Sequence, residues 1–148
     1  MLETIIGKNL SNFSFINQNG ETVSIGNYSG KKIVLWWFPK ADTPGWTLEG
    51  NGFRDRIQDF TEKNTIILGI SGDLPEDNKN FKEKFCFPFD ILSDIGLKET
   101  KKLNLCNVED SYAPRVSVIM DEESNVIKYF DTVNPQSHAS DLLAIIDS

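Results

Sequence analysis

The chain has 148 residues, 39% of them hydrophobic and 25% charged, a net charge of -7 and a pI near 4.7. That size supports one well-buried core, so a single domain over residues 1–148 is expected. The acidic balance argues against a general binder of nucleic-acid phosphates or anionic membranes, because the summed field repels both.

The N-terminus, MLETIIGKNLSNF, places Glu3 and Lys8 around a short apolar patch and lacks the basic start and long apolar run of a signal peptide. A cytoplasmic protein without a membrane span is expected. Cys86 and Cys106 lack CxxC spacing and fit reduced thiols better than a disulfide framework.

Phe13, Phe15, Val23 and Ile25 alternate with polar residues around Asn19 and Gly20, which predicts an N-terminal β-hairpin. Lys32 to Phe38, KIVLWWF, is nearly all apolar and predicts a central strand covered on both faces, ended by Pro39. Trp36 and Trp37 then belong to the core. Between Thr47 and Asn64, Phe53, Ile57 and Phe60 recur at helical spacing. Thr65 to Ser71 reads as a second core strand, completing a right-handed βαβ unit.

PEDNKNFKEKF, from Pro75, runs from acidic to basic residues as a helix dipole favours. A short strand at Phe89 to Leu92 and a polar helix at Gly96 to Leu103 follow, then a loop from Cys106 to Pro114. Arg115 to Met120 and Val126 to Phe130 predict a second hairpin, and Gln136 to Ile146 a closing helix with Leu142, Leu143 and Ile146 inward. The order predicts an α/β fold of thioredoxin-like type, a central mixed sheet flanked by helices.

The stretch FPKADTPGWTLEGNGFRD, Phe38 to Asp55, is where strand gives way to helix. Thr43 before Pro44 is an N-cap signal, because the hydroxyl accepts from a free amide and proline suits the first helical position. Gly45 and Trp46 then fall in the first turn, where unpaired N–H groups and the dipole favour negative charge. Tryptophan offers a donor-only indole and no nucleophile there.

The run FPKADTPGWT resembles the peroxiredoxin active-site motif: proline, three residues, threonine or serine, two residues, then the peroxidatic cysteine. Pro39 and Thr43 match, and Trp46 stands at the cysteine position. The flanking TPG, Glu49 and FRD at 53–55 are most similar to the bacterioferritin-comigratory, or PrxQ, branch. The likeness continues through GISGD at 69–73, FPFDILSD at 87–94 and the final hairpin.

The resemblance implies a thiol-dependent peroxidase that reduces hydrogen peroxide and organic hydroperoxides through a cysteine at 46, with thioredoxin, glutaredoxin or a small thiol as reductant. It implies no cofactor or metal and a monomer or weak homodimer. Thr43 would hold the peroxide, Pro39 shield the sulfur, Arg115 supply a cation and Glu49 orient that arginine. Asn51 replaces the resolving cysteine of many PrxQ proteins, which implies the one-cysteine type. With Trp46 the chain is expected to be inactive, either as an inactivated variant or as a natural pseudoenzyme with a binding or chaperone-like role.

Cys86 falls where another peroxiredoxin branch keeps its resolving cysteine, against the reading of a small buried apolar residue with an inert thiol. His138, the only histidine, is expected to be a cap or surface residue. Because tryptophan is much larger than cysteine and Gly50 and Gly52 weaken the helix, residues 43–52 are expected to be displaced from regular helix.

Overall fold

The computed structural model describes residues 5–41, 44–131, 134 and 137–146, with the backbone alone described at 44–46. Seven strands form one sheet: β1 (Ser14–Ile16), β2 (Thr22–Ser24), β3 (Lys32–Trp37), β4 (Thr65–Ser71), β5 (Ile91–Ser93), β6 (Ser117–Met120) and β7 (Val126–Phe130), in the spatial order β2-β1-β5-β4-β3-β6-β7. Strands β3, β4 and β5 run parallel; the other pairings are antiparallel. This is the mixed sheet that the order of elements predicts.

Strand β3 lies at the centre because its residues are apolar on both faces. Ile33, Leu35 and Trp37 point into one core with Ile70, Leu97 and Val118. Val34, Trp36 and Phe38 point into the other, against Phe53, Phe60, Phe81 and Leu142. Those four come from α1 (Pro44–Asp55), α2 (Ile57–Glu62), α3 (Pro75–Lys84) and α5 (His138–Ile146), which therefore cover one face. The short α4 (Lys98–Lys102) and the residues around it cover the opposite face.

Several boundaries differ from the sequence pattern. The helix expected from Thr47 to Asn64 is two helices, interrupted at Arg56 (φ -111°, ψ 14°). Its guanidinium bonds Asp59 at 2.7 Å and Ser140 of α5 at 2.8 Å. Phe53 and Phe60 face one core across the break, so apolar periodicity could not reveal it. Strand β5 starts at Ile91 rather than Phe89, and β6 at Ser117 rather than Arg115. The segment after Asp94 is a 3-10 turn followed by α4, joined through Leu97 in the left-handed region at φ 57°. The closing helix begins at His138; Gln136 lies outside the described residues.

The distortion expected at residues 43–52 is not found over residues 44–52, where α1 is continuous helix. Packing outweighs local propensity here. Glu49 and Phe53 are buried on this helix, and the ring of Phe87 packs directly against Gly50. Thr43, and the side chain of Trp46, lie outside the described residues.

Candidate active site

Two neighbouring strands bring the predicted residues to one end of the sheet. In the β3–β6 pair Trp36 lies opposite Ser117, and Trp37 N–H donates to the Val116 carbonyl at 2.8 Å. Continuing that register sets Pro39, just past β3, on the same sheet end as Arg115, just before β6. Pro39 is half-buried and Arg115 exposed. Helix α1 starts from this end at Pro44, so residue 46 falls in its first turn, as the sequence predicts.

Glu49 follows nearly one turn later and is only 2% exposed. Burial pushes its carboxyl up to about 8, and the positive charge of Arg115 opposes that rise.

Asp73 anchors the loop that leads into α1. Its Oδ2 accepts from the Ala41 N–H at 2.7 Å and from the Ser71 hydroxyl at 2.9 Å. Ser71 in turn contacts the buried Asn78, which bonds Ser93 at 3.0 Å. A polar knot at the end of β4 thus fixes where the loop begins.

His138 is neither a surface residue nor a cap. It is 4% exposed; its Nε2 lies 2.9 Å from the Ser117 hydroxyl and 3.8 Å from Glu49 Oε2. Burial lowers its pKa to about 4, against the charge of Asp141 on the same helix. Burial thus favours the neutral form of each group, and their 3.8 Å separation is longer than a hydrogen bond. The signal for this was in the sequence: His138 lies four residues before Leu142, on the inward face of an amphipathic helix.

Cys86 is exposed, not buried, because it follows α3 in the left-handed region at φ 56° and turns away from the core. The preceding Phe85 carbonyl accepts from Arg54 Nη1 at 2.8 Å, which sets Cys86 beside the far end of α1. At 1.5 Å per residue, Arg54 is about 12 Å along the helix from residue 46. Cys106 is half-buried; burial raises its thiol pKa, and Asp110 raises it further.

Among the described residues no helix is long and apolar enough to cross a membrane. Residues 6–129 match the model of the AhpC/TSA family. The chain is 32% identical over 144 residues to peroxiredoxin Bcp of Bacillus subtilis, covering 93% of this chain and 92% of that one. It is 30% identical over 145 residues to the chloroplastic peroxiredoxin Q of Oryza sativa subsp. japonica, covering 96% of this chain and 66% of the plant protein. In structure it superposes on peroxidoxin BcpB of Mycobacterium tuberculosis with a TM-score of 0.87, at 24% identity and 96% coverage of each chain, which shows the shared thioredoxin-like fold. A match that spans both hairpins, the βαβ unit and the site end of the sheet places the chain in the AhpC/TSA family of peroxiredoxins, in its PrxQ/Bcp branch.

Proposed function

We propose that this chain is a thiol-peroxidase scaffold whose chemistry is silenced at residue 46. The observation that supports this best is Glu49, held buried within reach of Arg115's charge. Burying a carboxyl costs stability, and a site without a nucleophile gains nothing from that cost.

A cysteine at 46 would occupy the first turn of α1, where free N–H groups, the helix dipole and Arg115 all favour the thiolate. The thiolate would donate an electron pair to one oxygen of a hydroperoxide. The O–O bond breaks, the sulfur becomes a sulfenic acid, and the hydroxide or alkoxide that leaves takes up a proton. Thr43 would hold the peroxide, and Pro39 would shield the sulfur. A thiol reductant (thioredoxin, glutaredoxin or a small thiol) would then attack the sulfenic sulfur, releasing water and forming a mixed disulfide that a second thiol cleaves. With Asn51 at the usual resolving position, the cycle is of the one-cysteine type, acting on hydrogen peroxide and organic hydroperoxides. The indole of Trp46 has no lone pair to give, so the first step fails in this chain.

Trp46→Cys tests the reading. Peroxide consumption coupled to a thioredoxin system or dithiothreitol should appear in the variant and be absent from the unaltered chain; a variant with no turnover above the protein-free background sinks it. The codon at position 46 in the gene separates an inactivated peroxidase from a pseudoenzyme. TGC or TGT there means a substituted cysteine, and TGG a native tryptophan. TGA read as selenocysteine would put a selenol at this position, whereas TGA read as tryptophan means a native tryptophan.

A further inference from the structure

Glu49 and His138, 89 positions apart in sequence, meet beneath the candidate site, and the function proposed above gives the histidine no part. The imidazole is boxed by Phe53 of α1, edge-on at 5.8 Å between ring centroids, and by Phe130 of β7 at 6.0 Å. Ser117 of β6 fixes it by a 2.9 Å hydrogen bond to Nε2. The same nitrogen faces Glu49 Oε2 at 3.8 Å, beyond hydrogen-bond length. Both contacts converge on Nε2, so this is not a serine–histidine–acid triad, which needs the serine and the acid on opposite ring nitrogens.

The arrangement instead joins the strand that follows Arg115 to the helix that carries Glu49. Ser117 is two residues beyond Arg115, and Phe53 is one turn beyond Glu49. Two titratable groups act on the imidazole, Glu49 from α1 at 3.8 Å and Asp141 from α5, while the charge of Arg115 acts on Glu49. We propose that His138 is a positioning residue for this site: held by Ser117, its ring backs the Glu49 carboxyl and confines it to orientations that face Arg115. The inference rests on the reading of position 46 as the nucleophile's place, because Arg115 matters through the charge it presents there.

The test uses the full chain carrying Trp46→Cys. The pH midpoint of iodoacetamide alkylation of the introduced thiol is followed by mass spectrometry, with Cys86 and Cys106 as internal references, beside the rate of reaction with hydrogen peroxide. Adding His138→Phe should raise the midpoint by about half a unit or more and slow peroxide reaction about tenfold. His138→Gln, whose amide can reach the place of Nε2, should restore both to within about threefold. Ser117→Ala, which keeps the ring but loosens it, should shift the midpoint in the same direction and serves if the phenylalanine variant does not fold. A midpoint and rate unmoved by His138→Phe, or by Ser117→Ala where that variant has to serve, would overturn the proposal, as would a folded glutamine variant as impaired as the phenylalanine one. If Trp46→Cys gives a depressed midpoint but no peroxide consumption, the peroxidase reading fails and the midpoint comparison still decides the role of His138. If the introduced thiol titrates at an ordinary value, both fail.

Discussion

Gly50 and Phe87 share a space that has no room for a methyl group: a Cβ at Gly50 would lie 2.5 Å from Phe87 Cζ. The ring cannot easily retreat, because it stacks on Phe89 at 5.1 Å and meets Phe81 edge-on at 5.0 Å. Alanine in a helix interior is normally about 1 kcal/mol better than glycine. Here overpacking should outweigh that gain, and Gly50→Ala should destabilise the fold by roughly 1–2 kcal/mol. Urea unfolding of the two proteins checks the sign; a stabilised variant contradicts the packing described.

Glu49 and His138 impose a pH profile on stability. The carboxyl rises from 4.5 in the unfolded chain to about 8, so its contribution is complete below pH 4.5 and lost as pH rises through 8. The imidazole falls from 6.5 to about 4, so its contribution is complete above 6.5 and lost as pH falls through 4. Between pH 4.5 and 6.5 the folded state holds one proton more on Glu49 and one fewer on His138, and the slopes cancel. From pH 6.5 to 8 Glu49 is the one of the two whose proton uptake differs between the folded and unfolded states, and stability should fall by roughly 1–2 kcal/mol. Denaturant midpoints measured across this range should show the decline, and Glu49→Gln should abolish it.

Removing the Asp73 carboxylate should free the start of the loop that leads into α1. Asp73→Ala deletes a charge-assisted bond from the Ala41 N–H and leaves the Ser71 hydroxyl to Asn78 alone, at a cost of roughly 1–3 kcal/mol. Hydrogen exchange at the Ala41 amide should accelerate more than exchange within β3. Equal acceleration in both would mean a general loss of stability instead of local release.

The two thiols should differ in reactivity. Cys86 is exposed, whereas burial and nearby carboxylates hold the Cys106 thiol above its usual range. Iodoacetamide at neutral pH should modify Cys86 well before Cys106, as read by peptide mass spectrometry.

The sequence revealed the strands best where burial on both faces leaves an unbroken apolar run. Lys32 to Phe38 overshoots β3 by one residue, and Thr65 to Ser71 coincides with β4. It was weakest where tertiary contacts decide. Arg56 leaves helical geometry where it reaches Ser140, far away in sequence, and Gly50 sits in regular helix because Phe87 fills its flank. Glu49 and Arg115 were legible only through the spacing of a family motif. His138 was read as a cap or surface residue although its spacing to Leu142 puts it on the inward face of α5; its partners, from α1 and β6, were not legible in the sequence. Cys86 was misjudged for a related reason: composition favours a buried thiol, but a left-handed backbone after the helix turns it outward.

The bond from His138 to Ser117 also has a consequence for synthesis. Strand β3, helix α1 and strand β6 all leave the ribosome before α5 does. Until that last helix emerges, the hydrophobic side of α1 lacks Leu142 and the Glu49 carboxyl lacks the ring that backs it. The nascent chain thus carries every residue of the candidate site before it can assemble one, and completion of the site waits on translation of α5.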